Sequence, residues 1–330
     1  MNFEFSILGA MIGISWALML SLDSWVAIAI ALMVFFSRAI PVNLLFLFTM
    51  TLIAYIQAML GGQKSGSAGT QKRFVLLLVG LTSALFGTSI SGYSPSLLFI
   101  FFGLILFIPN GFTTLFFNRH YERLTLRSYV QSVVLPAFVA LDILLKIKTD
   151  VKAEYAGVWE ITLMGVGLFT FLYSTVLAWA KTRLKQVLIH LSQAWIGLAL
   201  FLLTIDSNSI NRAVFTAIAI GTVGSIVLLS LSAQLGPRHF SFAKIATLGL
   251  PGTIWFTAWF FSLKMAIGMN ILWLLVLGLG YLIQAITLIS RESVPPFQEG
   301  RRVKIRFWIT VMVQLVTGAG LYWLEMGGMK

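Results

Sequence analysis

Lys181-Thr-Arg-Leu-Lys-Gln-Val-Leu-Ile-His-Leu-Ser-Gln-Ala-Trp-Ile-Gly197 opens the block, residues 181–264, on which the reading of the fold turns. A basic turn leads into an apolar run that holds His190, Ser192 and Gln193. Bases at a helix start oppose the macrodipole, so Lys181, Arg183 and Lys185 need another reason to be there, and a membrane surface supplies one. The next run, 212–234, is small and polar for lipid, with Thr216, Gly221, Thr222, Gly224 and Ser225. Small residues let helices approach closely, so this face is expected to pack on protein. Thr247-Leu-Gly-Leu-Pro-Gly-Thr-Ile-Trp-Phe256 then interrupts a third run. Gly249 and Pro251 predict a helix break of the kind tolerated where protein or a polar cavity satisfies the freed backbone.

Outward from this block the same pattern fills the chain. Of 330 residues, 58% are hydrophobic and 10% charged, against about 25% charged in soluble domains. With no water to serve the backbone in lipid, the fold is expected to be all-α, a polytopic transmembrane helical bundle. A span needs about 20 apolar residues. That rule predicts about twelve, near 5–22, 24–37, 41–60, 74–91, 96–117, 129–146, 157–180, 186–204, 212–234, 245–267, 269–290 and 306–324, in a single integral membrane domain over 1–330. Polar turns are expected at 61–69, 91–96 and 293–300, and Pro109 predicts a second break. Met-Asn-Phe-Glu-Phe carries no base before the first apolar run, so that run is expected to be retained rather than cleaved.

Composition also removes chemistries. There is no Cys, hence no disulfide, thiolate metal site or thiol nucleophile. His120, His190 and His239 are far apart and form no metal motif. No phosphate loop, dinucleotide fingerprint or nucleophile elbow is present, so neither a cofactor nor a catalytic residue is expected.

The net charge is +12. Sixteen of the 23 Lys and Arg fall in alternate loops, at 64–73, 119–127, 181–185, 238–244 and 291–306, and seven on the other side. The bias predicts those loops in the cytoplasm, both termini on the non-cytoplasmic side, and a multi-pass protein of the cell inner (plasma) membrane. The bases are thereby assigned to topology and to the lipid bilayer, and no basic domain is left to bind nucleic acid.

Three stretches in order resemble one family. They are Leu97-Leu-Phe-Ile-Phe-Phe-Gly103-Leu-Ile-Leu-Phe-Ile-Pro109, Arg183-Leu-Lys185-Gln-Val-Leu-Ile-His190-Leu-Ser192 and Gly249-Leu-Pro-Gly-Thr-Ile-Trp-Phe256. They resemble Leu-Phe-x-x-Phe-Glu-x-x-x-x-x-Pro, Asp-Leu-Lys-Arg-x-Leu-Ala-Tyr-Ser-Ser and Gly-Leu-Pro-Pro-x-x-Gly-Phe. These motifs mark the antiporter-like membrane subunits of respiratory complex I (NADH–quinone oxidoreductase), related to subunits of multisubunit sodium/proton antiporters and membrane-bound hydrogenases. The resemblance covers roughly 74–265, with a gap near 118–156. It implies variable N-terminal helices over 1–73, an antiporter-like core over 74–267 and C-terminal helices over 268–330. It also implies inverted repeats with broken helices. The partners implied are other membrane subunits of a larger complex and protons or sodium, with electron transfer left to other subunits.

The departures are as informative. Where the family carries a buried Glu, this chain has Gly103. The family's membrane-embedded Lys positions fall at Gly224 and Trp259, another near Phe138, and a His falls at Ile220. Glycine and apolar groups relay no proton, so the resemblance implies a degenerate proton path and a scaffold or partner role.

Other ionisable groups keep a second reading open, an active proton or cation carrier on a displaced route through Asp142, Lys146, His190 and Lys264. Asp142 and Lys146 are four apart and face together on a helix. They form an intramembrane ion pair or, the commoner outcome, both reach the interface. His190 is a relay or a hydrogen-bonded structural histidine. Lys264 is a displaced family lysine or an anchor at a helix end. Glu160 beside Trp159 reads as an interfacial anchor, and Asn110 is expected to satisfy a carbonyl freed by Pro109. A third reading, an unrelated polytopic transporter or membrane enzyme, would use 119–123 and 301–306 to meet phosphates.

Overall fold

The computed structural model describes residues 2–20, 24–37, 39–60, 67–90, 95–148, 153–205, 208–291 and 301–327. The polar turns expected at 61–69, 91–96 and 293–300 lie mostly outside them, as does Arg38. Among the described residues there is no strand. Among the same residues nine helical spans are long and apolar enough to cross a membrane, and three shorter apolar helices accompany them at 7–19, 25–36 and 254–268. All twelve overlap spans expected from hydropathy.

Contacts divide the chain into two compact units, one of residues 1–13, 23–170 and 196–204, the other of 14–22, 171–195 and 205–330. The first is built around a largely apolar, buried segment, as a helix with apolar residues on every side must be. It runs as α7 (Leu126–Tyr129), a π-turn (Val130–Val134) and α8 (Leu135–Lys148). Every α8 residue except Lys146 and Lys148 is buried. Helices α2 (Trp25–Phe36), α3 (Ile40–Leu60) and α5 (Pro95–Phe107) pack on α8. Helix α4 (Ser67–Ser89) packs tightly along α5, with Gly80, Ala84, Gly87, Ser96 and Gly103 in the seam. Within it Ser83 Oγ donates to the Phe99 carbonyl at 3.0 Å.

The span expected at 96–117 is divided. Helix α5 ends at Phe107, and α6 (Gly111–Arg123) begins after Ile108-Pro109-Asn110. Asn110 serves both ends. Its Nδ2 donates to the Ile105 and Ile108 carbonyls at 2.9 and 3.2 Å, and its Oδ1 accepts the Thr113 amide at 3.0 Å. Thr113 Oγ1 accepts the Asn110 amide in return, a capping box that starts α6.

The second unit is built around α11 (Asn208–Leu235), with α12 (Pro237–Thr247), α13 (Ile254–Met269) and α15 (Arg301–Gly327) packed on it. Helix α14 (Ile271–Ile289) packs on α13. Gly236 has φ 102°, and the following Pro237 suits the first helical position. The span expected at 245–267 is two helices rather than one. Gly249 and Gly252 take positive φ, 96° and 91°, which only glycine adopts freely. Pro251 between them has no amide hydrogen to continue a helix, and Thr253 caps α13 by accepting the Phe256 amide. Helices α1 (Asn2–Met19), α9 (Ala153–Ala180) and α10 (Leu184–Leu202) contribute to both units.

Candidate functional site

The positions at which the family's ionisable groups were expected are closed by packing. A side chain on Gly103 would meet the Gly80 carbonyl oxygen at 2.3 Å and Ala84 Cβ at 2.7 Å. The obstacle is the α4 backbone, so no acid fits there without parting two helices. On Gly224 it would meet Gln314 Nε2 at 2.3 Å: an amide from α15 fills the groove. Neither polar atom of Gln314 has a hydrogen-bond partner, although the residue is 1% exposed. Trp259 stands edge-on to Tyr281, ring centroids 4.7 Å apart, and Trp255 lies over Trp195 at 4.5 Å. Phe138 and Ile220 are fully buried.

This aromatic group is hydrogen-bonded throughout. Trp255 Nε1 donates to Ser225 Oγ at 2.6 Å and to the Gly221 carbonyl at 3.2 Å. Gly221 makes room for the indole, since a Cβ there would lie 2.9 Å from it. Trp195 Nε1 donates to Gln284 Oε1, and Gln284 Nε2 donates to Thr175 Oγ1, each at 3.0 Å. Buried donors are therefore satisfied by neutral partners.

Charge sits elsewhere, on α8. Lys146 Nζ lies 2.8 Å from Asp142 Oδ2, with the two side chains 12% and 4% exposed. The contact is an ion pair off the hydrogen-bond axis. Of the two outcomes the spacing allowed, the ion pair is formed, with Asp142 buried and Lys146 largely enclosed. The reason lies in α2, whose last-turn carbonyls have acceptor capacity left over. Lys146 donates to those of Val34, Phe35 and Ser37, at 2.6, 3.4 and 3.0 Å. An ammonium so placed also meets the negative end of the α2 dipole.

The same device recurs. Lys148 donates to Leu203 O, beyond α10, at 2.7 Å. Lys244 donates to Ile289 and Arg291 carbonyls at the end of α14, and burial holds its pKa below the ordinary lysine value. Arg291 donates to Trp179 and Lys181 carbonyls at the end of α9. Arg306 donates to Met19 O, the end of α1. The sequence assigned these bases to topology; they also close helix C-termini.

The other expected site residues are dispersed. His190 on α10 is fully buried, its Nδ1 3.0 Å from Gln193 Oε1. Lys264 on α13 is exposed, in the last turns before Met269. Glu160 is half-buried near the start of the apolar part of α9. Asp142 and Lys146 belong to the first unit, His190 and Lys264 to the second. Sequence reasoning passed over Gln314, took Arg73 for a topology base and placed His120 only in the stretch 119–123. For Gln314, an amide within an apolar run was a usable signal that its helix faces protein. No cluster of three or more metal-ligating side chains is found among the described residues.

The fold is a polytopic helical bundle of the antiporter-like kind. The chain is similar to a chain of respiratory complex I from Thermus thermophilus, with TM-score 0.72 and 15% identity over 96% of this chain and 80% of that one. A chain of the Mrp complex from Dietzia sp. matches at TM-score 0.73 and 14% identity, over 91% of this chain but only 39% of the other. A chain of the membrane-bound sulfane sulfur reductase, an archaeal respiratory membrane complex, matches at 0.67 and 15%, over 89% and 77%. No family model matches the sequence and no curated protein matches it. The likeness is thus one of fold.

Proposed function

We propose that this chain is an antiporter-like membrane subunit of a proton-translocating assembly, complex I-like or of the cation/proton antiporter type, in which it acts as a scaffold with a degenerate proton path. Its partners are then other membrane subunits, and its location the cell inner membrane with both termini on the non-cytoplasmic side. The observation that carries the scaffold role is the closure at Gly103, where the α4 backbone occupies the space an acid would need. The fold shared with chains of three respiratory or Mrp complexes supports the setting.

A second reading, an active carrier, draws on the buried Asp142–Lys146 pair, since ionisable groups at membrane depth are costly and usually functional. The carbonyl shell around Lys146 favours a structural charge instead, because three backbone acceptors and a carboxylate surround its ammonium.

The test is purification of the full chain from its own membrane in gentle detergent, followed by flux measurement on the reconstituted chain alone. Co-purifying membrane and redox subunits, with no ion flux from the isolated chain, are expected. Flux driven by a pH gradient and abolished by Lys146→Met in folded protein would establish the carrier instead.

A further inference from the structure

Arg73 was counted among bases that set topology, yet it is 6% exposed. Its guanidinium lies over the Tyr121 ring, 4.8 Å from the centroid. One amine, Nη2, donates to the Ser132 carbonyl at 3.3 Å. That carbonyl is four residues before Pro136, which has no amide hydrogen to offer it. The other amine, Nη1, is buried without a hydrogen-bond partner, and no carboxylate pairs with Arg73 among the described residues.

Beside it His120 is 8% exposed, and its Nδ1 is likewise buried without a partner. The first turn of α4 lies against this imidazole: a Cβ on Gly69 would sit 2.8 Å from Nδ1. Between these groups is a cavity of about 30 Å³, lined by Arg73, His120, Thr51, Tyr55, Thr70 and Ser132 among others. It has room for one small group, since a single water needs about 10–15 Å³.

A buried guanidinium without a counter-charge costs several kcal/mol. Here the cavity wall adds a second nitrogen and a helix N-terminus, and no acid among the described lining residues. Every part of that set favours an anion. Water would satisfy the donors but leave the charge. The site also lies at one membrane face, because Arg73 is near the start of the span 69–89 and His120 near the end of the span 96–123.

We propose that Arg73, His120 and the first turn of α4 form a binding site for one phosphate group, the headgroup of an anionic phospholipid or a free phosphate ion. Basic pockets between helices at a membrane face are where such headgroups bind. A site of this kind would tie α3, α4 and α6 together at that face.

The experiment uses the full-length chain in neutral detergent, stripped of phospholipid. It is titrated with dihexanoyl phosphatidylglycerol, with inorganic phosphate and with an uncharged dihexanoyl glycerol. Binding to the folded state raises the unfolding temperature in proportion to affinity. Phosphatidylglycerol is expected to raise it, and Arg73→Gln to weaken the apparent affinity by about tenfold or more. The exposed-residue control Arg302→Gln is expected to leave it within about twofold. An equal response to inorganic phosphate identifies the free ion as the ligand. A response to phosphatidylglycerol alone identifies the lipid. If Arg73→Gln does not fold, His120→Asn and Thr70→Val are read for the same loss. The proposal is overturned if neither probe stabilises the wild-type chain, if the uncharged glycerol does so equally, or if the folded site variants respond no less than Arg302→Gln.

Discussion

Helices α8 and α11 hold equivalent places, each the buried axis of its own unit, and each span is 89% buried. They meet the demands of burial differently. Helix α8 is bulky and apolar and carries Asp142, Lys146 and Lys148 at its far end. Helix α11 keeps small neutral groups along its length, Gly221, Thr222, Gly224 and Ser225. On α8 the charges are stabilised because α2 and α10 end there and present backbone carbonyls to the lysines. At Gly224 on α11 the last residue of α1, Met19, presents its sulfur and not a carbonyl. The groove left by the missing side chain is filled by a neutral amide, and that at Gly221 by an indole. A charge survives burial where backbone dipoles converge on it, and a groove without such dipoles is packed with neutral groups.

The largest effect that would sharpen this contrast is expected at Lys146. Lys146→Met removes the ammonium paired with the buried Asp142 carboxylate and should cost about 3–5 kcal/mol, measured by equilibrium unfolding in mixed micelles. Adding Asp142→Asn should recover part of that loss. If the single variant is as stable as wild type, the carbonyl shell at α2 is not what holds the charge.

An intermediate effect is expected from filling the glycine grooves. Gly103→Ala drives Cβ against the α4 backbone, which cannot yield without separating the helices, and should cost about 1–3 kcal/mol or more. Gly224→Ala meets only the flexible side chains of Gln314 and Met19 and should cost less, about 1 kcal/mol. Equal losses in the same unfolding assay would break the distinction drawn between a backbone and a side-chain obstacle.

The smallest effect is a gain. Gln314→Met keeps the volume over Gly224 and removes two buried polar atoms that lack partners. It should stabilise the chain by roughly 1 kcal/mol, seen as a higher unfolding temperature. A loss would mean that the amide has a bound partner of its own.

Much of the fold was legible because its signals are local. Hydropathy over some twenty residues locates a span wherever its neighbours lie, and all twelve expected spans have helical counterparts. The breaks at Pro109 and at Gly249–Pro251 were legible for a similar reason, since a missing amide hydrogen and a positive φ belong to single residues. The overlooked groups share the opposite property. Arg73 is an ordinary loop base until Pro136 leaves the Ser132 carbonyl open to it. Lys146 looked set for the interface because its acceptors, Val34, Phe35 and Ser37, are more than a hundred residues away in the chain.

The sequence by itself thus determined that the chain is a membrane-spanning helical bundle, where its helices run and break, and that Gly103 and Gly224 stand within its apolar runs. The tertiary structure alone decided what became of those positions and of the remaining charges. Whether a glycine is an open site or a closed seam depends on how near another helix comes. Whether a lysine is buried or solvated depends on which helix ends beside it. Both are distances between segments remote in sequence, and no local pattern encodes them.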